Sequence, residues 1–302
     1  MRIGKCPENA YKRSVGKYLQ TGDGRSITSI RQTALTYEMA PAVFLQDAVN
    51  EIAAAGARST GIAAGLIVPP DTEEAMVASV MERLLPVCER ENVPLTEVSV
   101  KTLQAVSAPV LQVTVTGRDP KRKKIKQEAD LLLVGAVAMA GTMILATEKE
   151  DVLLQKFARP FIAGAVDFKN HLSVTGAARV AFENGAIAAY SLSEGGIFAG
   201  LWEFASAHKS GLEADLKKIT IRQESVEIAE IFQINPYQLL STGAMLVAAQ
   251  NGLEMLRVFR DNGIEAVMIG SLKSGNDRVI RNDTETRYLD LPAADEIYRI
   301  FG

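Results

Sequence analysis

The sequence predicts an α/β fold in two units, 1–128 and 129–302, and three observations carry that prediction. Strand-like and helix-like stretches alternate through the second half, the pattern of mixed α/β architecture. The first half combines helices that have one apolar face with a strand of period-two alternation. Between the halves lies the sharpest change in composition, Arg118-Asp119-Pro120-Lys121-Arg122-Lys123-Lys124-Ile125-Lys126, and the boundary is placed at its end. At 302 residues the chain is long enough to close two hydrophobic cores.

Each element follows from a local pattern. Phe44 to Gly56 reads as a helix, with Leu45, Val49, Ile52 and Ala53 on one side and Gly56 as terminator. Gly61 to Val68 is a short apolar strand ended by Pro69-Pro70. Asp71-Thr72-Glu73-Glu74 has the spacing of a capping box, which predicts a helix from there to about Asn92, with Val77, Val80, Met81, Leu84 and Cys88 turned to the core. Leu111, Val113 and Val115 alternate with Gln112, Thr114 and Thr116 in a half-buried strand that Gly117 ends. Beyond the basic run the elements are expected at Leu131–Val137, Asp151–Phe161, Ser173–Glu183, Ile187–Ser191, Ile197–Ala207, Leu212–Ile221 and Ser225–Ile234. They continue with a strand at Met245–Ala249, a helix near Leu253–Asp261 and Ala266–Ile269, and Asn282-Asp283 predicts a closing turn.

Composition removes several classes of function. The chain is 47% apolar and 23% charged, the balance of a globular protein. Its 33 Lys+Arg against 36 Asp+Glu leave a net charge of -3, without the basic excess of a nucleic-acid binder. The run Lys121 to Lys126 has no interleaved aromatics and reads as a solvated hairpin or linker. Cys6, Cys88, His171 and His208 are too few for a Cys/His zinc cage. Charge and Pro near Met1 predict no signal peptide, hence a cytoplasmic protein, and the apolar stretch Leu131–Ala146 is too short to span a membrane.

Three segments are candidate sites. Tyr190-Ser191-Leu192-Ser193-Glu194-Gly195-Gly196-Ile197 passes from strand through two glycines into a helix, where free N–H groups suit a phosphate and Glu194 suits metal binding or proton transfer. A tight turn capped by Ser193 explains the same residues. Asn50-Glu51 reads as the one amide-carboxylate doublet buried in an apolar helix, a donor set that suits magnesium; solvent-facing polar positions explain it equally well. Thr21-Gly22-Asp23-Gly24-Arg25-Ser26 fits a phosphate loop or a plain turn. His171 and His208 have no evident carboxylate partner and read as surface or cap residues.

Three ordered segments carry a family resemblance: Ala48 to Arg58 with Asn50-Glu51, Ser193-Glu194-Gly195-Gly196 to Glu203, and Asn235 to Leu246. Together they resemble the superfamily of aminoimidazole ribonucleotide (AIR) synthase, in its AIR synthase-related or hydrogenase maturation factor-like branch. The superfamily also contains the hydrogenase-maturation dehydratase, selenophosphate synthetase and thiamine-phosphate kinase. The resemblance implies an N-terminal sheet domain that dimerises, a C-terminal α/β domain that covers the site, and ATP with magnesium as cofactors for phosphoryl transfer to an amide- or formyl-type oxygen. On this basis Asn50, Glu51 and Glu97 are expected near the metal, Lys17 or Asp23 at the phosphates, Gly195 and Gly196 as backbone donors, and Glu194 as the catalytic carboxylate.

The chain departs from the pattern at several of these positions. Glu51 replaces the Asp that follows Asn, Thr96-Glu97 stands for the family's Gly-Gly-Asp-Thr segment, and Ser191 occupies the place of an Asp. The ending Glu296-Ile297-Tyr298-Arg299-Ile300-Phe301-Gly302 lacks the cysteine-bearing tail of the hydrogenase-maturation enzymes, and Cys6 lacks the Lys and glycine context of a selenophosphate synthetase. Two readings result: a divergent ATP- and magnesium-dependent enzyme, or a noncatalytic member that binds a metabolite or pairs with an active paralogue. The missing acids favour loss of turnover. The expected assembly is a homodimer or a heterodimer with an active paralogue.

Overall fold

A computed structural model describes residues 8–15, 18, 24–121, 125, 128–283 and 285–302. The N-terminal half contains α1 (Glu8–Ser14), β1 (Ser26–Ala34), α2 (Ala40–Ala54), β2 (Arg58–Val68), α3 (Glu74–Glu91), β3 (Leu95–Thr102) and β4 (Val110–Arg118). Its four strands form one sheet in the order β1-β4-β2-β3, with β4 antiparallel to both neighbours and β2 parallel to β3. Residues of α2 and α3 pack with Leu66, Leu111, Val113 and Val115 on one face of this sheet. The other face presents Thr28, Ile30, Gln32, Gln112 and Thr116 to solvent.

The C-terminal half contains β5 (Ala129–Val134), α4 (Met139–Glu148), α5 (Glu150–Leu153), α6 (Arg159–Asp167), α7 (Thr175–Glu183), β6 (Ala188–Ser191), α8 (Gly196–His208) and β7 (Gly211–Asp215). It continues with α9 (Gln223–Ile231), β8 (Met245–Ala249), α10 (Gly252–Asp261), β9 (Ala266–Lys273), β10 (Arg278–Asn282), β11 (Glu285–Tyr288) and α11 (Tyr298–Phe301). The seven strands run in the order β11-β10-β7-β9-β5-β8-β6, antiparallel except for β10 beside β7. Helices cover both faces, so β5 is apolar from Leu131 onward: Leu131 and Leu133 enter the core under α8, while Leu132 and Val134 enter the core under α7 and α10. Among the described residues no helix is long and apolar enough to cross a membrane.

The expected mixed α/β architecture is present, and local departures have physical causes. The predicted capping box does not form. Thr72 N–H instead closes a turn onto Pro69 O, and α3 starts at Glu74 behind Glu73, which makes no side-chain cap. Gly117 lies inside β4 rather than ending it, because a Cβ there would sit 2.4 Å from Ile52 Cγ2 of the helix above. The expected element at 151–161 is two helices, the second opening with Pro160 in its first turn. β1, unforeseen, carries Ser29 and Arg31 inward where a strand pattern demands apolar residues.

α2 positions the site. Thirteen of its fifteen residues are buried, because it serves three cores at once. Ala40, Val43 and Phe44 pack with α4 and α6, Leu45, Ala48, Val49 and Ile52 with the N-terminal sheet, and Ala53 and Ala54 with α7 and β8.

Candidate functional site

The polar residues of α2 come in two doublets one turn apart, Gln46-Asp47 and Asn50-Glu51, so i,i+4 partners share a face. Asp47 and Glu51 face β1. Arg31 Nε lies 2.5 Å from Asp47 Oδ2 and Arg31 Nη1 lies 2.8 Å from Glu51 Oε2, while Ser29 Oγ donates to Glu51 Oε2 at 2.5 Å. Burial opposes the guanidinium charge, but Asp47 and Glu51 outweigh it and hold Arg31 protonated far above the physiological range. One fixed cation therefore stands between two carboxylates.

Gln46 and Asn50 face the C-terminal half. Asn50 Nδ2 donates to Leu172 O at 2.7 Å, and Asn50 Oδ1 accepts from Val174 N at 3.1 Å and from Gln46 Nε2 at 2.9 Å. Gln46 Nε2 also reaches Glu91 Oε1 at 2.9 Å, and Thr175 Oγ1 donates to Glu91 Oε2 at 2.9 Å. This network ties α2 and α3 to the start of α7.

At the second candidate segment, Gly195 (φ 78°) and Gly196 (φ 61°) take left-handed conformations. Added Cβ atoms there would lie 2.6 Å from Ala199 Cβ and 2.5 Å from Tyr237 O, so only glycine fits the turn into α8. Their N–H groups are engaged: Gly195 N donates to Asp295 Oδ2 at 2.6 Å and Gly196 N to Ser193 O at 3.2 Å. Asp295 also accepts from Ile297 N at 2.8 Å and Leu240 N at 3.3 Å. Burial pushes its carboxyl up to about 7, against the pull of these N–H groups.

Glu194 accepts a hydrogen bond from the Tyr298 hydroxyl, and Tyr190 donates its hydroxyl to Glu203. Glu194, Glu203, Asp295 and Tyr298 line one narrow crevice. Burial, and then the charge of Glu194, raise the Tyr37 and Tyr298 phenols. Burial and Glu203 do the same to Tyr190, which also feels Glu51 and Arg31. Tyr190 bonds to Glu203, which lines the crevice of Glu194, and feels the charges of Glu51 and Arg31, so these groups form one polar seam.

The structure brings Glu51 and Glu194 to this seam but does not gather Asn50, Glu51 and Glu97 into one set. The polar atoms of Asn50 bind the chain's own backbone and Gln46, Glu51 is held by Arg31 and Ser29, and Glu97 is exposed on β3 opposite Ala63. Among the described residues no group of three His, Cys, Asp or Glu is placed to hold a metal, so the described residues of one chain gather no magnesium site. Lys17, Asp23 and Cys6 lie outside the described residues. Ser191, in the place of the family's Asp, is buried with its Oγ unbonded. His171 does have a carboxylate neighbour, Asp167 Oδ2 at 3.5 Å, and both side chains are exposed. His208 packs edge-on against Phe204. Cys88 is in the core as expected, where burial raises its thiol pKa.

Sequence reasoning missed Arg31, Asp47, Asp295, Tyr37, Tyr190, Glu203 and Tyr298. The repeated doublet at 46–47 and 50–51 could have revealed Asp47.

The model of the AIR synthase related protein C-terminal domain matches residues 127–282, and that of the N-terminal domain matches residues 30–118. Carbamoyl dehydratase HypE of Rhodobacter capsulatus is 23% identical over 270 residues, covering 83% of this chain and 76% of that protein. The crystal structure of the hydrogenase maturation protein HypE of E. coli superimposes with a TM-score of 0.74 at 17% identity, covering 95% of this chain and 91% of that one. A structure of HypE in complex with ATP gives 0.70 at 15% identity, over 98% and 97% of the two chains. These matches reach across both sheets and the seam between them: the chain belongs to the AIR synthase related family.

Proposed function

We propose that the chain is a noncatalytic member of this family, one that keeps the fold to bind a small molecule and to pair with a second subunit. The observation that carries the reading is Arg31 between Asp47 and Glu51. Phosphoryl transfer in relatives that use ATP depends on cations that neutralise the transferred group. Here Asp47 and Glu51 are already paired with a guanidinium, a side chain that offers no open coordination position. Asp295 plays the matching part at α8, since its carboxylate takes the Gly195 N–H that a phosphate would use. A cation of the chain thus stands in for a metal and a carboxyl of the chain takes the place of a phosphate. The exposed face of the N-terminal sheet supports a homodimer.

The test is thermal unfolding of the wild type and of Arg31→Ala across a magnesium titration. Removing Arg31 takes from buried Asp47 its 2.5 Å ion pair and from Glu51 its 2.8 Å one, at a cost of roughly 3 kcal/mol. Magnesium should restore part of that loss by binding beside Asp47 and Glu51, and the wild-type midpoint should not move. A wild type stabilised by magnesium, or an Arg31→Ala protein as stable as wild type, would overturn the reading.

A further inference from the structure

A second cleft lies on the far side of α2 from Arg31. It is lined by Val49 and Ala53, two residues further along the helix than Asp47 and Glu51 and therefore on the opposite face, and its volume is about 720 Å³. That is within the range of about 300–1,000 Å³ typical of small-molecule sites. Its walls belong to both halves of the chain: Arg58, Arg118 and Lys121 come from the N-terminal half, Arg179 and Phe182 from α7.

The charges in this cleft are arranged at a cost to stability. Arg58 and Arg118 are direct cross-strand partners on β2 and β4, and like charges directly opposite one another destabilise a sheet. Asp119 follows in a left-handed conformation, and Lys121 N donates to Ala55 O at 3.0 Å, which anchors a third cation beside the end of α2. Arg179 faces them from α7. Among the described residues none of the four forms an ion pair, in a chain whose net charge is -3. Of the carboxylates that line the same cleft, Glu91 is held by Gln46 and Thr175, leaving Asp119 and Glu183 at the exposed rim. Beneath the cations the surface is apolar, formed by Val49, Ala53, Ala178 and the half-buried ring of Phe182.

We infer that this cleft binds a phosphorylated small molecule with a flat ring, of mononucleotide size. The phosphate sits on the guanidinium groups of Arg58, Arg118 and Arg179 with the Lys121 ammonium, since planar forks match phosphate oxygens. The ring lies on Phe182 and the apolar floor. Because Arg179 and Phe182 belong to one half and the other cations to the other, the ligand clamps the two halves together. The inference stands apart from the metal question at Arg31, whose carboxylates take no part in it.

Isothermal titration of the full chain with AMP, ribose 5-phosphate and inorganic phosphate tests it. AMP should bind, with ribose 5-phosphate weaker by about tenfold because it has no aromatic ring to stack. Arg118→Gln and Arg179→Gln should each weaken AMP by about tenfold or more. Phe182→Leu should weaken AMP while leaving ribose 5-phosphate unchanged. Arg118→Gln should also raise the unfolding midpoint of the free protein, since it relieves the repulsion with Arg58, which separates loss of binding from loss of fold. Absence of binding by all three compounds at millimolar concentration, or AMP binding undiminished in Arg118→Gln and Arg179→Gln, would overturn the inference.

Discussion

Asn50 distinguishes a metal ligand from a staple. Its amide is saturated by Leu172 O, Val174 N and Gln46, so Asn50→Ala should cost about 2 kcal/mol through two buried backbone groups left unpaired. That loss, read by denaturant unfolding, should be the same with and without magnesium. Asp295 gives a pH signature. Its folded carboxyl titrates at about 7, above the unfolded value of about 3.9, so between those values the folded state binds the extra proton. This contribution to stability therefore falls as pH rises from about 4 to about 7 and is flat outside that window. Asp295→Asn should remove it, and the wild-type-minus-variant difference in unfolding free energy across that window is the measurement. Glu194 and Tyr298 line the same crevice and Tyr37 feels its carboxylates, and the phenols, raised by burial, stay protonated throughout. Asn50-Glu51 was legible as a polar doublet in an apolar helix, and its i,i+4 repeat at Gln46-Asp47 was overlooked; Asp295 was not legible, because it reaches Gly195 across 100 positions of sequence and no local pattern encodes such a contact.

The elements that sequence located best are those with one environment per face, such as β8, whose predicted bounds at Met245–Ala249 match the strand. β1 escaped notice because its inward residues include Ser29 and Arg31, which satisfy carboxylates rather than an apolar core, and period-two hydrophobicity cannot register that. The start of α3 was misplaced for a related reason: Asp71 and Thr72 have the chemistry of a cap, but the Pro69-Pro70 corner holds them in a turn. β1 and β4 also present the open face of the N-terminal sheet, where Ile30 is 53% exposed. In a homodimer formed through that face, Ile30→Lys should yield a monomer by light scattering with an unchanged far-ultraviolet spectrum; an unchanged mass would assign the dimer to another surface.

For the molecule as a whole, α2 makes the halves interdependent, since Ala40, Val43 and Phe44 complete a core built largely by α4, α6 and α9. The resemblance carried by three sequence segments pointed correctly to the family and its fold. The state of the site was less legible, because Glu51 and Ser191 show where the family's acids are lengthened or lost and not what packs beside them; Arg31 and Asp295 come from segments with no motif of their own. The most direct test of the central claim, that these two residues replace metal and phosphate, is thermal unfolding of the wild type with ATP plus magnesium beside ATP plus chelator. A ligand at 100 times its dissociation constant stabilises by about 2.7 kcal/mol. The same midpoint is expected in both conditions, and a saturable, magnesium-dependent rise would show instead that metal and nucleotide bind together.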